Sequence, residues 1–143
     1  MTVFVDTGVF YAQQDEDTER HDAATRAMRA IAGGRFGRPV TSDYVYDETV
    51  TLTLSRSNDP AQAAAVGDRI RGHGSFPEAV RMLFVGHEQF HDAIEIRRAY
   101  DDQALSFTDA TTVAVMRDRG IDHVLSFDDD FDGILDRLDP TTL

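Results

Sequence analysis

The sequence predicts an α/β fold with a short, mostly parallel central sheet and helices on both of its faces. Apolar runs of strand length recur at 2–5, 38–42, 80–86 and 122–127. Between them lie longer segments with Ala, Met and Ile at helical spacing. Strands that alternate with helices imply crossover connections, and crossovers imply parallel pairing. A length of 143 residues, 41% of them hydrophobic, suits a single domain over 1–143 with one core.

Each element has its own signal. "TVFV" (2–5) is a buried-strand run that stops at Asp6. The stretch 17–32, "DTERHDAATRAMRAIA", carries a helical stripe and closes on Gly33 and Gly34. "RPVTS" (38–42) is a second strand. "SDYVYDETVTLTLSR" (42–56) opens with Ser/Asp capping chemistry and is helical despite its β-branched residues. "DPAQAAAVGDRIRGHG" (59–74) has Pro60 in its first turn and Gly74 past its end. "VRMLFVG" (80–86) is the third strand, and "HEQFHDAIEIRRAYDDQ" (87–103) an amphipathic helix. "FTDATTVAVMRDRG" (107–120) is a helix capped by Thr108 and ended by Gly120. "DHVLSF" (122–127) is the fourth strand, and "ILDRL" (134–138) a short edge strand. Residues 7–16 carry no assigned element.

Composition removes several function classes. There is no Cys, so disulfides, thiolate metal sites and cysteine nucleophiles are excluded. No apolar stretch reaches membrane-span length, and "MTVFVDTG" lacks the basic and apolar regions of a signal peptide, so the expected location is the cytoplasm. The formal net charge is -12, from 26 acidic and 14 basic residues, and every basic residue is Arg. An Asp-rich chain without Lys suits high salt, where the Debye length shrinks to about 3 Å at 1 M. This charge argues against a polybasic phosphate binder. It leaves room for nucleic acid held by a metal site and a few arginines; Arg35, Arg38 and Arg56 flank one acidic block. His21, His73, His87, His91 and His123 form no constellation at zinc spacing.

The chemistry sits with the acids. In a doubly wound sheet the strand C-termini and the following helix N-termini share one rim. Asp6 follows the first strand and Asp128 the fourth. Asp109 lies in the first turn of its helix, in line with Thr112, Val113 and Met116 on the inward stripe. In the helix after the second strand, Asp47 and Glu48 flank opposite sides of the apolar face, and spacing does not choose between them. Two carboxylates about 4 Å apart repel by about 4 kcal/mol at an effective dielectric of 20. Four at one rim make six such pairs, more than helix dipoles offset at about 0.3–1 kcal/mol each. Such a set must protonate or bind a cation. An all-oxygen site suits Mg²⁺ or Mn²⁺ and, with it, phosphodiester hydrolysis by metal-activated water. An aspartyl-nucleophile phosphatase would need a second Asp two residues after Asp6, where Gly8 stands, and a Lys. A phospho-receiver domain also relies on Lys.

"VFVDTGVFYA", "TSDYVYDETVTL", "LSFTDATTVAVM" and "VLSFDDDF" resemble, in order, the four acidic blocks of the PIN-domain nucleases, and in detail the VapC-type toxin ribonucleases. The resemblance spans residues 3 to 131. It implies a three-layer α/β/α fold, cleavage of RNA with Mg²⁺ or Mn²⁺, and Asp6, Glu48, Asp109 and Asp128 as the block acids. It further implies that Asp130 assists through water and that Thr7 and Thr108 support the first and third acids from behind. It implies a small antitoxin as partner and pairing as a homodimer. A housekeeping PIN nuclease and a catalytically inert binding module are the alternative readings. The family's toxins are commonly basic where they face RNA, and this chain is strongly acidic.

Overall fold

The computed structural model describes residues 1–143. Five strands form one sheet: β1 (Thr2–Val5), β2 (Arg38–Ser42), β3 (Arg81–Leu83), β4 (His123–Leu125) and β5 (Arg137–Leu138). Every neighbouring pair is parallel, in the order β3-β2-β1-β4-β5. Six helices connect them: α1 (Thr7–Gln14), α2 (His21–Ala32), α3 (Asp43–Ser57), α4 (Pro60–Arg71), α5 (His87–Ala99) and α6 (Phe107–Arg119). Side chains alternate across a strand, yet Val3, Phe4 and Val5 are all fully buried, so helices cover both faces of β1. No helix is long and apolar enough to cross a membrane.

Local chemistry accounts for most boundaries. Ser42 caps α3 by accepting the Val45 N–H, and Asn58 closes that helix in the left-handed region at φ 52. Asp59 caps α4 ahead of Pro60. Along α3 the buried Val45, Thr49 and Thr53 recur every four residues, and each threonine hydroxyl donates to the carbonyl one turn back. Helix α6 is buried without interruption from Asp109 to Met116, as befits a helix inside the core rather than on it.

The structure revises several of the expected elements: the third strand contracts from 80–86 to Arg81–Leu83 and the fourth from 122–127 to His123–Leu125. α2 starts at His21, because a turn occupies residues 16–20. The edge strand contracts to Arg137–Leu138, after a 3-10 turn over Asp129–Phe131. The cap of α6 is Ser106, which accepts from the Asp109 N–H, and not Thr108. Residues 7–14, left unassigned, form α1. "TGVFYAQQ" is poor in strong helix formers, and burial of Val9, Phe10 and Ala12 overrides that weak local preference.

Strand order creates the site. The chain adds β2 and β3 outward on one side of β1, then returns to place β4 and β5 on the other. The direction of winding reverses at the β1/β4 seam, where such sheets open a crevice beyond the strand ends. Val5 is level with Leu125 across that seam, and the Asp6 N–H donates to the Leu125 carbonyl at 3.1 Å.

Candidate active site

A cavity of about 610 Å³ lies over the C-terminal ends of β1 and β4. Asp6, Glu48, Asp109, Asp128 and Asp129 all line it. Four of these carboxylates come from four remote stretches of chain. Glu48 faces the cavity while its neighbour Asp47 is exposed outside it, so the rotation of α3 resolves what spacing left open. A second cavity, of about 640 Å³, is bounded by Tyr11, Gln14, Arg56 and Arg69. It gathers no comparable set of buried carboxylates.

Asp6 occupies the N-cap position of α1 yet makes no capping hydrogen bond. A capping carboxylate would accept from the first turn of the helix. Here Oδ2 accepts from the Ser126 hydroxyl at 2.6 Å, and Oδ1 is buried with no partner. Only 6% of the residue is exposed. Burial raises its pKa from 3.8 to about 7; the Ser126 hydrogen bond opposes that rise, and the charges of Asp109 and Glu48 add to it. An ionisable oxygen held dry and unpartnered among other carboxylates is a strained arrangement that a hard cation relieves.

Asp109 is set by a reciprocal capping box. Ser106 Oγ accepts from the Asp109 N–H, and Asp109 Oδ2 accepts from the Ser106 N–H, both at 3.1 Å. At 7% exposure its pKa rises to about 6, through burial first, with the charges of Asp128 and Glu48 contributing. Each of the two acids therefore feels at least two other carboxylates of the set, and the four interact as one cluster.

Asp128 begins the fourth-block turn. Its N–H donates to Ser126 Oγ at 2.9 Å, and its Oδ1 accepts from the Asp130 N–H at 2.9 Å. Within the triple-aspartate run, carboxylate oxygens of Asp128, Asp129 and Asp130 lie within 4.8 Å of one another. The neighbouring Asp128 charge is the main force raising the Asp130 pKa. Asp130 itself does not line the cavity; Asp129, not singled out from sequence, does.

Among the hydroxyls, Thr7 lines the cavity with Oγ1 buried and unpartnered. Thr108 does not line it; its carbonyl accepts from the Thr111 and Thr112 hydroxyls. Ser106 and Ser126 hold the position of support that the sequence suggested for Thr108. Ser126 was legible only as a small polar residue at a strand end, inside "VLSFDDDF". Arg35 lies over Phe36 and Arg38 starts β2, at the opposite end of the sheet from the cavity. Arg56 faces the second cavity. The basic residue that does line the acidic one is Arg20.

The donor set is all oxygen, with buried unpartnered atoms on Asp6 and Thr7. It fits a divalent ion that prefers oxygen ligands and has no soft donor to offer zinc or copper.

Comparison with known proteins shows the family and the fold. The family model described as PIN domain matches residues 3–134. The chain is 33% identical over 129 residues to the 23S rRNA-specific endonuclease VapC20 of Mycobacterium tuberculosis, covering 90% of this chain and 91% of the relative. The crystal structure of that Sarcin-Ricin loop cleaving toxin superposes with a TM-score of 0.75, over 90% of this chain and 92% of the other. VapBC2 from Rickettsia felis, bound to a DNA fragment from its promoter, shares the fold at 11% identity and TM-score 0.70, over 96% and 98% of the chains. FitAcB from Neisseria gonorrhoeae does so at 12% and 0.68, over 99% of each.

Proposed function

The chain belongs to the PIN-domain family, and from that premise we propose that it is the endoribonuclease toxin of a toxin–antitoxin pair, dependent on Mg²⁺ or Mn²⁺. The observation that carries the reading is the convergence of Asp6, Glu48, Asp109 and Asp128 on one cavity, with Asp6 Oδ1 buried and unpartnered. Asp6 and Asp109 are proposed as the principal ligands, and Glu48 and Asp128 complete the set, with Asp130 acting through water. When bound, the divalent ion supplies Lewis-acid chemistry, lowering the pKa of water and offsetting charge on the phosphate.

The chain's own residues prepare that chemistry. Ser126 fixes the Asp6 carboxylate and, through the Asp128 N–H, the fourth-block turn. The Ser106 N–H donates to Asp109 Oδ2 and so orients that carboxylate. Thr7 offers a buried hydroxyl beside Asp6. Glu48, on α3, lines the same cavity. Attack by water on phosphorus, with the P–O3′ bond broken and the 3′-oxygen leaving as a hydroxyl, would leave a 5′-phosphate and a 3′-hydroxyl.

Given the 23S rRNA-specific relative, 23S rRNA is the proposed substrate. A small antitoxin is the proposed partner, a homodimer the proposed assembly, and the cytoplasm, where such RNA resides, the proposed location. The test is incubation of ribosomal RNA with the protein and Mn²⁺, with EDTA and Asp6→Asn controls, followed by sequencing of the ends. Metal-dependent cuts with 5′-phosphate ends are expected. Cyclic 2′,3′-phosphate ends, or EDTA-resistant cleavage by Asp6→Asn, would refute the proposal.

A further inference from the structure

We infer that Arg20 contacts a phosphate of the RNA backbone, and that the face of Phe127 holds its guanidinium ready at the rim of the acidic cavity. This rests on the ribonuclease reading of that cavity. Arg20 is the one basic side chain among the thirteen residues lining it, against five carboxylates. A polyanion approaching five acids meets repulsion that a single dication does not cancel. Attraction has to come from the protein, and Arg20 is the one cation placed to supply it.

The guanidinium is uncommitted. It lies over the Phe127 ring at 4.9 Å from the centroid. The ion pairs of the molecule are Arg98 with Glu95, Arg137 with Asp132 and Asp139, and His123 with Asp136. Arg20 is in none of them, despite its acidic surroundings. Its hydrogen bonds are made by the backbone alone, the N–H donating to Thr18 Oγ1 and the carbonyl accepting from the Ala24 N–H, which leaves the five side-chain donors free. Nor is it the counter-ion of the buried acids. The donors on those carboxylates are the Ser126 hydroxyl for Asp6 and the Ser106 N–H for Asp109. Stacking on a ring restrains the plane of a guanidinium while its N–H edge stays open to an anion.

The platform is itself tied to the site. Phe127 sits between Ser126, which bonds Asp6, and Asp128. The ring packs next to the first turn of α1: a Cβ at Gly8 would meet Phe127 Cδ2 at 3.9 Å, an ordinary contact. The ring and the guanidinium on it are thus referenced to the same carboxylates that would face the scissile bond. Arg20 at the start of α2 and Phe127 after β4 are far apart in sequence, and only the fold brings them together.

The test measures binding apart from cleavage. Fluorescence anisotropy of a single-stranded RNA oligonucleotide is followed across a KCl series, using Asp6→Asn and Asp6→Asn/Arg20→Ala proteins. The expected result is about tenfold weaker binding at low salt for the double variant, uniformly across RNA sequences. The slope of log K against log[KCl] becomes shallower by about 0.7, the loss of one phosphate contact. Arg20→Lys in the same background restores the slope, because the charge returns. Unchanged affinity and slope in the alanine variant, or a lysine variant as shallow as alanine, overturns the inference. Arg20 is exposed, so each variant is expected to melt with its parent. If the wild-type protein cuts no RNA while the loss of binding is seen, the nuclease reading falls and the phosphate contact stands; cleavage with unchanged binding gives the reverse.

Discussion

Replacing Asp6 by Asn should make the metal-free protein more stable, and the gain should grow with pH. In the folded protein burial raises the Asp6 pKa from 3.8 to about 7. A carboxyl that binds its proton more tightly when folded stabilises the protein less as pH rises, because the folded state must then give up a proton it holds firmly. The loss runs between about pH 4 and pH 7, and is complete above the folded value. Its full size is about 4 kcal/mol, at 1.36 kcal/mol for each tenfold change in proton affinity. At pH 4.5 only about 1 kcal/mol of it has been lost. Asn fills the same space, can still accept from the Ser126 hydroxyl and never ionises. The stability gap between variant and parent should therefore widen by about 3 kcal/mol from pH 4.5 to pH 8. For a chain of this size that is roughly 10 °C in Tm. The assay is thermal melting by circular dichroism in EDTA at both pH values. Saturating Mn²⁺ should then raise the Tm of the parent and leave the variant unmoved. A gap that is the same at both pH values, or a variant less stable than its parent at pH 8, would refute the account of a buried, strained carboxylate.

Three further outcomes follow from the same geometry. Ser126→Ala removes a buried hydroxyl that serves both Asp6 and the Asp128 N–H. It should cost about 1–2 kcal/mol by denaturant unfolding and, by pushing the Asp6 pKa up further, weaken Mn²⁺ binding at pH 6.5; equal Mn²⁺ affinity would contradict its role. Protons compete with the ion at Asp6, with pKa about 7, and at Asp109, with pKa about 6. Mn²⁺ affinity by calorimetry should therefore rise about 100-fold from pH 5.5 to pH 7.5, and a flat profile would count against these two ligands. Finally, a net charge of -12 repels itself, so Tm should climb as KCl goes from 0.1 to 2 M; a falling Tm would show that surface repulsion is not a dominant cost.

Much of the fold is local, and local features can be read from residues in order. The buried runs "TVFV" and "DHVLSF" announce strands because their length and β-branched content fit a sheet covered on both faces. Asp6 and Asp128 stand just past strand ends, so their placement at one rim needed only the alternation of strand and helix. α1 escaped notice because its stability is tertiary: Val9 and Phe10 are buried by the rest of the molecule, and no residue in "TGVFYAQQ" declares a helix alone. The cap of α6 went to Ser106 rather than Thr108 because both hydroxyls offer capping chemistry at the head of the same helix, and they stand two residues apart with Phe107 between them.

The amino-acid order by itself determined that this is a parallel α/β domain with acids at its strand ends and a donor set of oxygen alone. Those properties depend on neighbours a few residues away. Tertiary structure decided the rest: that Glu48 and not Asp47 enters the cavity, that Asp6 Oδ1 is left dry and unpartnered, that Ser126 grips its other oxygen, and that Arg20 comes to lie on Phe127. Each of these joins residues brought together by strand order and by the rotation of a helix about its axis. Periodicity fixes which residues share a face, and only packing against the sheet fixes where that face points.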